Sequence, residues 1–186
     1  MTPPFEVKDF FSMNKKEAEQ HYIWYLSEVP ERIMILKNFI ALFDDSINEA
    51  MDYSPNSLIP LWAWYLKNVN ILLKSEEEYQ QEILQYPKDI RYSVSRYKLE
   101  FEWMAVAMDI GIYMALCFLE YDKKFKWGYV TKPKQDCVNK PSIMGFNYKM
   151  LFSPMDTMTT MIYKAADRRS KDTQLIEIFD YWINNY

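Results

Sequence analysis

The stretch Phe101–Tyr121, FEWMAVAMDIGIYMALCFLEY, constrains the fold of this chain more than any other. It is almost unbroken apolar sequence, interrupted by one acid, Asp109, and one glycine, Gly111. Strands rarely exceed about 10 residues, so a run of this length reads as a helix. Either a bilayer or a protein core could receive such a helix. An aspartate near the middle of a membrane span costs about 2.5–3.5 kcal/mol, whereas a core needs only to offer it a hydrogen-bond partner. The run therefore predicts a buried central helix over residues 96–122, with no membrane contact and with Asp109 as a structural acid tied to a neighbouring element. Gly111 costs about 1 kcal/mol relative to alanine in a helix, which predicts a close helix crossing at that point.

The rest of the chain follows the same pattern. Only 3 of 186 residues are glycine, too few for a Gly-rich phosphate loop or a hairpin-dense barrel. Apolar residues make up 49%, which excludes disorder for most of the length. Asn14 predicts the start of a first helix, with Ala18, Tyr22, Tyr25, Leu26 and Val29 at helical spacing. Pro30 suits the first turn of a second helix. The segment 58–73, LIPLWAWYLKNVNILL, predicts a third, and residues 75–87 a short exposed one. Periodicity then changes from helical to alternating. Phe125, Trp127, Tyr129 and Thr131 fall on one side of a predicted strand, and SIMGFNY predicts its antiparallel partner. Ser153-Pro154-Met155-Asp156 is a helix start, and Asp172 predicts the cap of a last helix. The expected fold is mainly α: a helical bundle with a small antiparallel β-hairpin inserted before the last two helices. A single domain, 1–186, would comprise an acidic helical part (1–122), a basic hairpin part (123–150) and the C-terminal helices (151–186).

No catalytic constellation is visible. There is one histidine, His21, on the border of the first helix's apolar face. No Gly-x-Ser-x-Gly elbow, Walker loop or dinucleotide fingerprint accompanies it. Cys117 and Cys137 lack the neighbouring thiolates or imidazoles of a zinc site. Glu102, Asp109, Tyr113 and Glu120 fall within about 40° of one line on the long helix. Glu102 and Asp109 are about 10.5 Å apart along the axis, however, too far for a carboxylate dyad. Neither a catalytic residue, a metal nor a cofactor is expected.

The charge layout is more informative. Residues 1–122 hold 11 Lys/Arg and 20 Asp/Glu, whereas residues 123–171 hold 11 Lys/Arg and 3 Asp/Glu. The sign changes at Lys123, where the periodicity changes too. Segregation of this kind steers oppositely charged partners. Asp44, Asp45, Glu49, Asp52, Glu76, Glu77 and Glu78 form the expected protein-binding acids. Lys124, Lys126, Trp127, Tyr129, Lys132 and Lys134 form an alternative nucleic-acid-binding set, since aromatics among lysines can stack bases.

The segments MNKKEAEQHYIWYLSEVPERI, SLIPLWAWYL, MDIGIYMALCFLE, KWGYV and PSIMGF, in this order, resemble a group of small uncharacterised bacterial proteins found among accessory and toxin-associated genes. The resemblance covers most of the chain and implies a cytoplasmic protein of the toxin-immunity type. Its motifs are structural and transfer no active-site residue. The charged N-terminal stretch, without a signal-like apolar core, agrees with a cytoplasmic location. The expected function is therefore a non-enzymatic module for a protein partner, most sharply a basic toxin domain. A nucleic-acid-binding accessory protein is the alternative, and an acid-dependent hydrolase around Asp109 the second alternative.

Overall fold

The structure, a computed structural model, describes residues 2–131 and 137–186. Its first long element, α1 (Lys15–Ala41), opens with a capping box. The Asn14 side chain accepts from the amides of Lys16 and Glu17, and Glu17 reaches back to the Asn14 amide. Contrary to the two helices expected around Pro30, α1 runs through the proline without a break. The ring removes one backbone bond and costs about 3 kcal/mol. Against this, Tyr25, Val29, Ile33, Leu36 and Ile40 are buried along one stripe of α1, each contributing about 1.5–3 kcal/mol. The stripe outweighs the ring.

The short α2 (Asp45–Ala50) follows, then α3 (Leu58–Asn68). The helix predicted to continue to residue 73 stops at Asn68, and Ile71–Leu73 forms a strand, β1. After α4 (Glu76–Leu84), the chain pairs β2 (Tyr97–Leu99) antiparallel with β1, setting Leu72 opposite Lys98. This second sheet is absent from the sequence expectation, and its pairing starts the central helix α5 at Phe101 rather than 96. The predicted hairpin is present as β3 (Lys126–Gly128) and β4 (Ser142–Met144), with Trp127 opposite Ile143. Gly145 holds φ +118°, and a Cβ there would lie 2.4 Å from the Lys124 carbonyl oxygen, so the chain leaves β4 by a path only glycine permits.

Two helices close the fold. Ser153 caps α6 (Pro154–Ala166) by accepting from the Asp156 amide, with Pro154 in the first turn as expected. The last helix, α7 (Gln174–Asn185), has Thr173 rather than Asp172 at its N-cap position. The architecture is mainly α, with two small antiparallel two-stranded sheets. One core joins Tyr25 and Leu36 of α1 to Trp62 and Tyr65 of α3, Phe118 of α5, Ile143 of β4, and Phe179 of α7.

The centre of that core is α5, which packs most extensively on α6 and α1. It is long and apolar enough to cross a membrane, and most of it is buried inside the protein. Gly111 meets α6: a Cβ there would stand 2.5 Å from Met158 Cγ and 3.2 Å from the Pro154 carbonyl oxygen. The close crossing predicted at this glycine is therefore with α6.

Candidate functional site

The seam between α1 and α5 carries an ion pair in the protein interior. Arg32 donates from Nε to Asp109 Oδ1 at 2.8 Å and from Nη2 to Oδ2 at 2.5 Å. Asp109 is only 3% exposed. Burial pushes its carboxyl above the usual range, and the guanidinium pulls it back. Arg32 is raised in turn by its bond to Asp109. With both oxygens engaged in a fork-on-fork contact, the pair fixes the register of two helices. The rest of the acidic line divides. Glu102 and Glu120 are exposed, while the buried Tyr113 hydroxyl sits 2.7 Å from Ser57 Oγ and accepts from the Tyr53 amide. Nearby, burial pushes the Cys117 thiol up to about 12, so it is no nucleophile near neutral pH.

Beside the Arg32–Asp109 pair lies a cleft of about 460 Å³. Its walls come from α1 (Trp24, Tyr25), α5 (Met104, Met108) and α6 (Met155), and His21, Arg32 and Asp109 line it beside the polar edges of Trp24 and Tyr25. The N-terminal segment reaches it through Val7. That segment is held by Phe10 edge-on to His21, with ring centres 5.0 Å apart. It is held also by Asn139, which donates to the carbonyls of Phe10 and Met13. His21 is 4% exposed, and its Nδ1 has no hydrogen-bond partner among the described residues. Burial lowers its pKa below that of a free imidazole. Periodicity places His21 at the edge of an apolar face, but the cleft depends on contacts from α5 and α6 that no local pattern reveals.

The seven sequence-predicted acids fall into two groups. On α4, Glu76 pairs with Arg96 at 3.0 Å and Glu78 pairs with Lys98, both across to the β2 region, while Glu77 is exposed and forms no ion pair among the described residues. Around α2, Asp44, Asp45, Glu49 and Asp52 are all exposed, and none forms an ion pair among the described residues. Asp44 and Asp52 accept from the side chains and the amides of Ser46 and Ser54, which lowers their pKa and keeps them charged. Two apolar residues adjoin this group: Leu42, 79% exposed, and Phe43, 50% exposed and packed edge-on against Trp64. Both lie at the end of an apolar helical pattern, which hides that the chain turns away there.

Trp127 and Tyr129, the aromatic residues of the basic set, are partly buried. Trp127 packs edge-on against Tyr25 at 5.7 Å, and Tyr129 lies 4.8 Å from Tyr22. Both rings pack on α1 and remain partly exposed. Lys124 lies over the Phe125 ring, and Lys126 is exposed. Lys132 and Lys134 lie outside the described residues. Among the described ion pairs, Lys124–Asp122, at 4.0 Å, is the one that links residues 123–171 to the acidic part. Also among the described residues, no three His, Cys, Asp or Glu side chains converge as metal ligands would. No family model, curated protein or solved structure matches this chain, so its own geometry carries the functional reading.

Proposed function

We propose that this chain is a non-enzymatic, cytoplasmic protein-binding module, most sharply an immunity protein that captures and neutralises a bacterial toxin with a basic surface. The observation that carries this reading is the corner between α1 and α2. Exposed Leu42 and half-exposed Phe43 adjoin four carboxylates, Asp44, Asp45, Glu49 and Asp52, that form no close ion pair among the described residues, although Lys67 acts on Asp44 electrostatically. A few apolar anchors within a polar rim is how binding energy concentrates in protein interfaces. Acids in excess draw in a basic partner and speed encounter, in a manner that weakens with salt. The exposed pairs on α4 are partly neutralised and contribute less to that field.

The test begins with purification from the native host, followed by binding kinetics on the recovered partner. A stoichiometric basic protein is expected, and co-expression should relieve its toxicity. The triple change Asp44→Lys, Asp45→Lys, Glu49→Lys should slow association at least tenfold at low salt, and Leu42→Asp should speed dissociation. A partner that binds both variants like the parent removes the corner from the interface. Failure to find any toxin whose effect this chain relieves removes the immunity reading.

A further inference from the structure

We propose that a second copy of this chain docks its α1–α2 corner into a basic notch beside the β3–β4 hairpin. This docking rests on the functional reading in one respect, that the corner is an interface, and it gives that corner an occupant when no toxin is present.

The notch has a volume of about 300 Å³, suited to an anchoring side chain. Val130, Met144, Met150 and Leu151 make it apolar, and Lys126 and Lys149 line it as well. Both lysines are exposed, and neither forms an ion pair among the described residues. No carboxylate of the described residues lines the notch. Lys149 is held there by an uncommon backbone. Tyr148 and Lys149 take φ 55° and 57°, a left-handed conformation that costs a non-glycine residue about 1–2 kcal/mol. The Asn147 amide secures the turn by donating to the Tyr186 carbonyl oxygen at the end of α7. The turn leaves Tyr148 85% exposed, so its strain is kept at the surface, where it points to a use outside the monomer.

The corner is the counterpart of the notch. Leu42 is 79% exposed, and Asp44 and Asp45 follow it closely in the chain. An apolar anchor beside acids meets an apolar pocket beside lysines, so burial and charge favour the same seating. Lys67 offsets part of the charge on Asp44, which makes Asp45 the main acid of the contact. Within one chain the two surfaces do not satisfy each other. Lys124–Asp122 is the one described ion pair that joins residues 123–171 to residues 1–122.

Sedimentation equilibrium of the whole chain, with no partner added, reads the contact. Association with a Kd below about 1 mM is expected at low salt, weakening at least threefold at about 0.3 M salt. A monomer throughout, or association indifferent to salt, overturns the proposal. Asp44→Lys with Asp45→Lys, and separately Lys126→Glu with Lys149→Glu, should each be monomeric where the parent associates. An equal mixture of the two should associate again, because a native corner then meets a native notch; misfolding cannot produce that recovery. Variants that associate alone like the parent, or a mixture that stays monomeric, also overturn it. Leu42→Asp should be monomeric, whereas Leu73→Asp, at a residue of β1 that is 67% exposed, should associate like the parent. Any other pattern refutes the seating. Since no toxin enters these measurements, a monomeric parent removes the self-docking alone, and failure to find a toxin removes the immunity reading alone.

Discussion

The seam between α1 and α5 and the junction between α4 and β2 are both bridged by a cation and a carboxylate, but in opposite surroundings. At the seam, the Arg32 and Asp109 side chains are 16% and 4% exposed. At the junction, the partners of Glu76–Arg96 and Glu78–Lys98 are between 39% and 65% exposed. Water and salt screen the second set, and each exposed pair holds two long side chains in place for little return. At the seam, little water can take over if one partner goes, and the other is left charged in the interior. Counting ion pairs would rank the junction above the seam. Burial reverses that order.

Breaking the seam should have the largest effect. Asp109→Leu or Arg32→Met alone should lower unfolding stability by about 3 kcal/mol, and the double variant should recover most of that loss. Urea denaturation of all four proteins gives the cycle; single losses below about 1 kcal/mol would show that the pair does not hold the helices. Gly111→Ala, on the opposite packing of α5, should cost about 1 kcal/mol. Its Cβ would press on Met158 and the Pro154 carbonyl, which outweighs the helix preference for alanine. A stabilised variant would show that α6 yields freely.

A smaller, pH-dependent effect belongs to His21. Its pKa is lower in the folded chain than the ordinary value of 6.5. The unfolded chain therefore takes up the proton first, and stability falls as the pH is lowered below about 6.5. Because no other histidine is present, His21→Phe should flatten that part of the stability profile. An unchanged slope between the two proteins would assign it elsewhere. The smallest effect is at the junction: Glu76→Gln and Glu78→Gln should leave the melting temperature essentially unchanged at physiological salt. A drop as large as that at the seam would overturn the contrast.

Much of the fold is legible because its signals are local. Asn14 with Glu17, Ser153 with Pro154, and the alternation around Trp127 each need only a few neighbouring residues. What is missed depends on distant segments. Residues 69–73 continue an apolar helical pattern, and only pairing with Tyr97–Leu99 makes part of it a strand. Asp109 reads as a structural acid from its surroundings, but its partner Arg32 lies 77 positions away. The acids of the corner are visible as charges, whereas Leu42 and Phe43 gain their meaning from the turn into α2. Trp127 and Tyr129 read as strand aromatics among lysines, and their packing on α1 is visible only in the fold.

Pro30 has a consequence beyond the helix count. A proline nitrogen cannot complete the backbone bond to the Leu26 carbonyl, so the rod is weakest between its His21–Tyr25 part and its Arg32 part. Bending is cheapest at that missing rung. Contacts on both sides of the gap, Tyr25 with Trp127 before it and Arg32 with Asp109 after it, hold the rod in line across the missing bond.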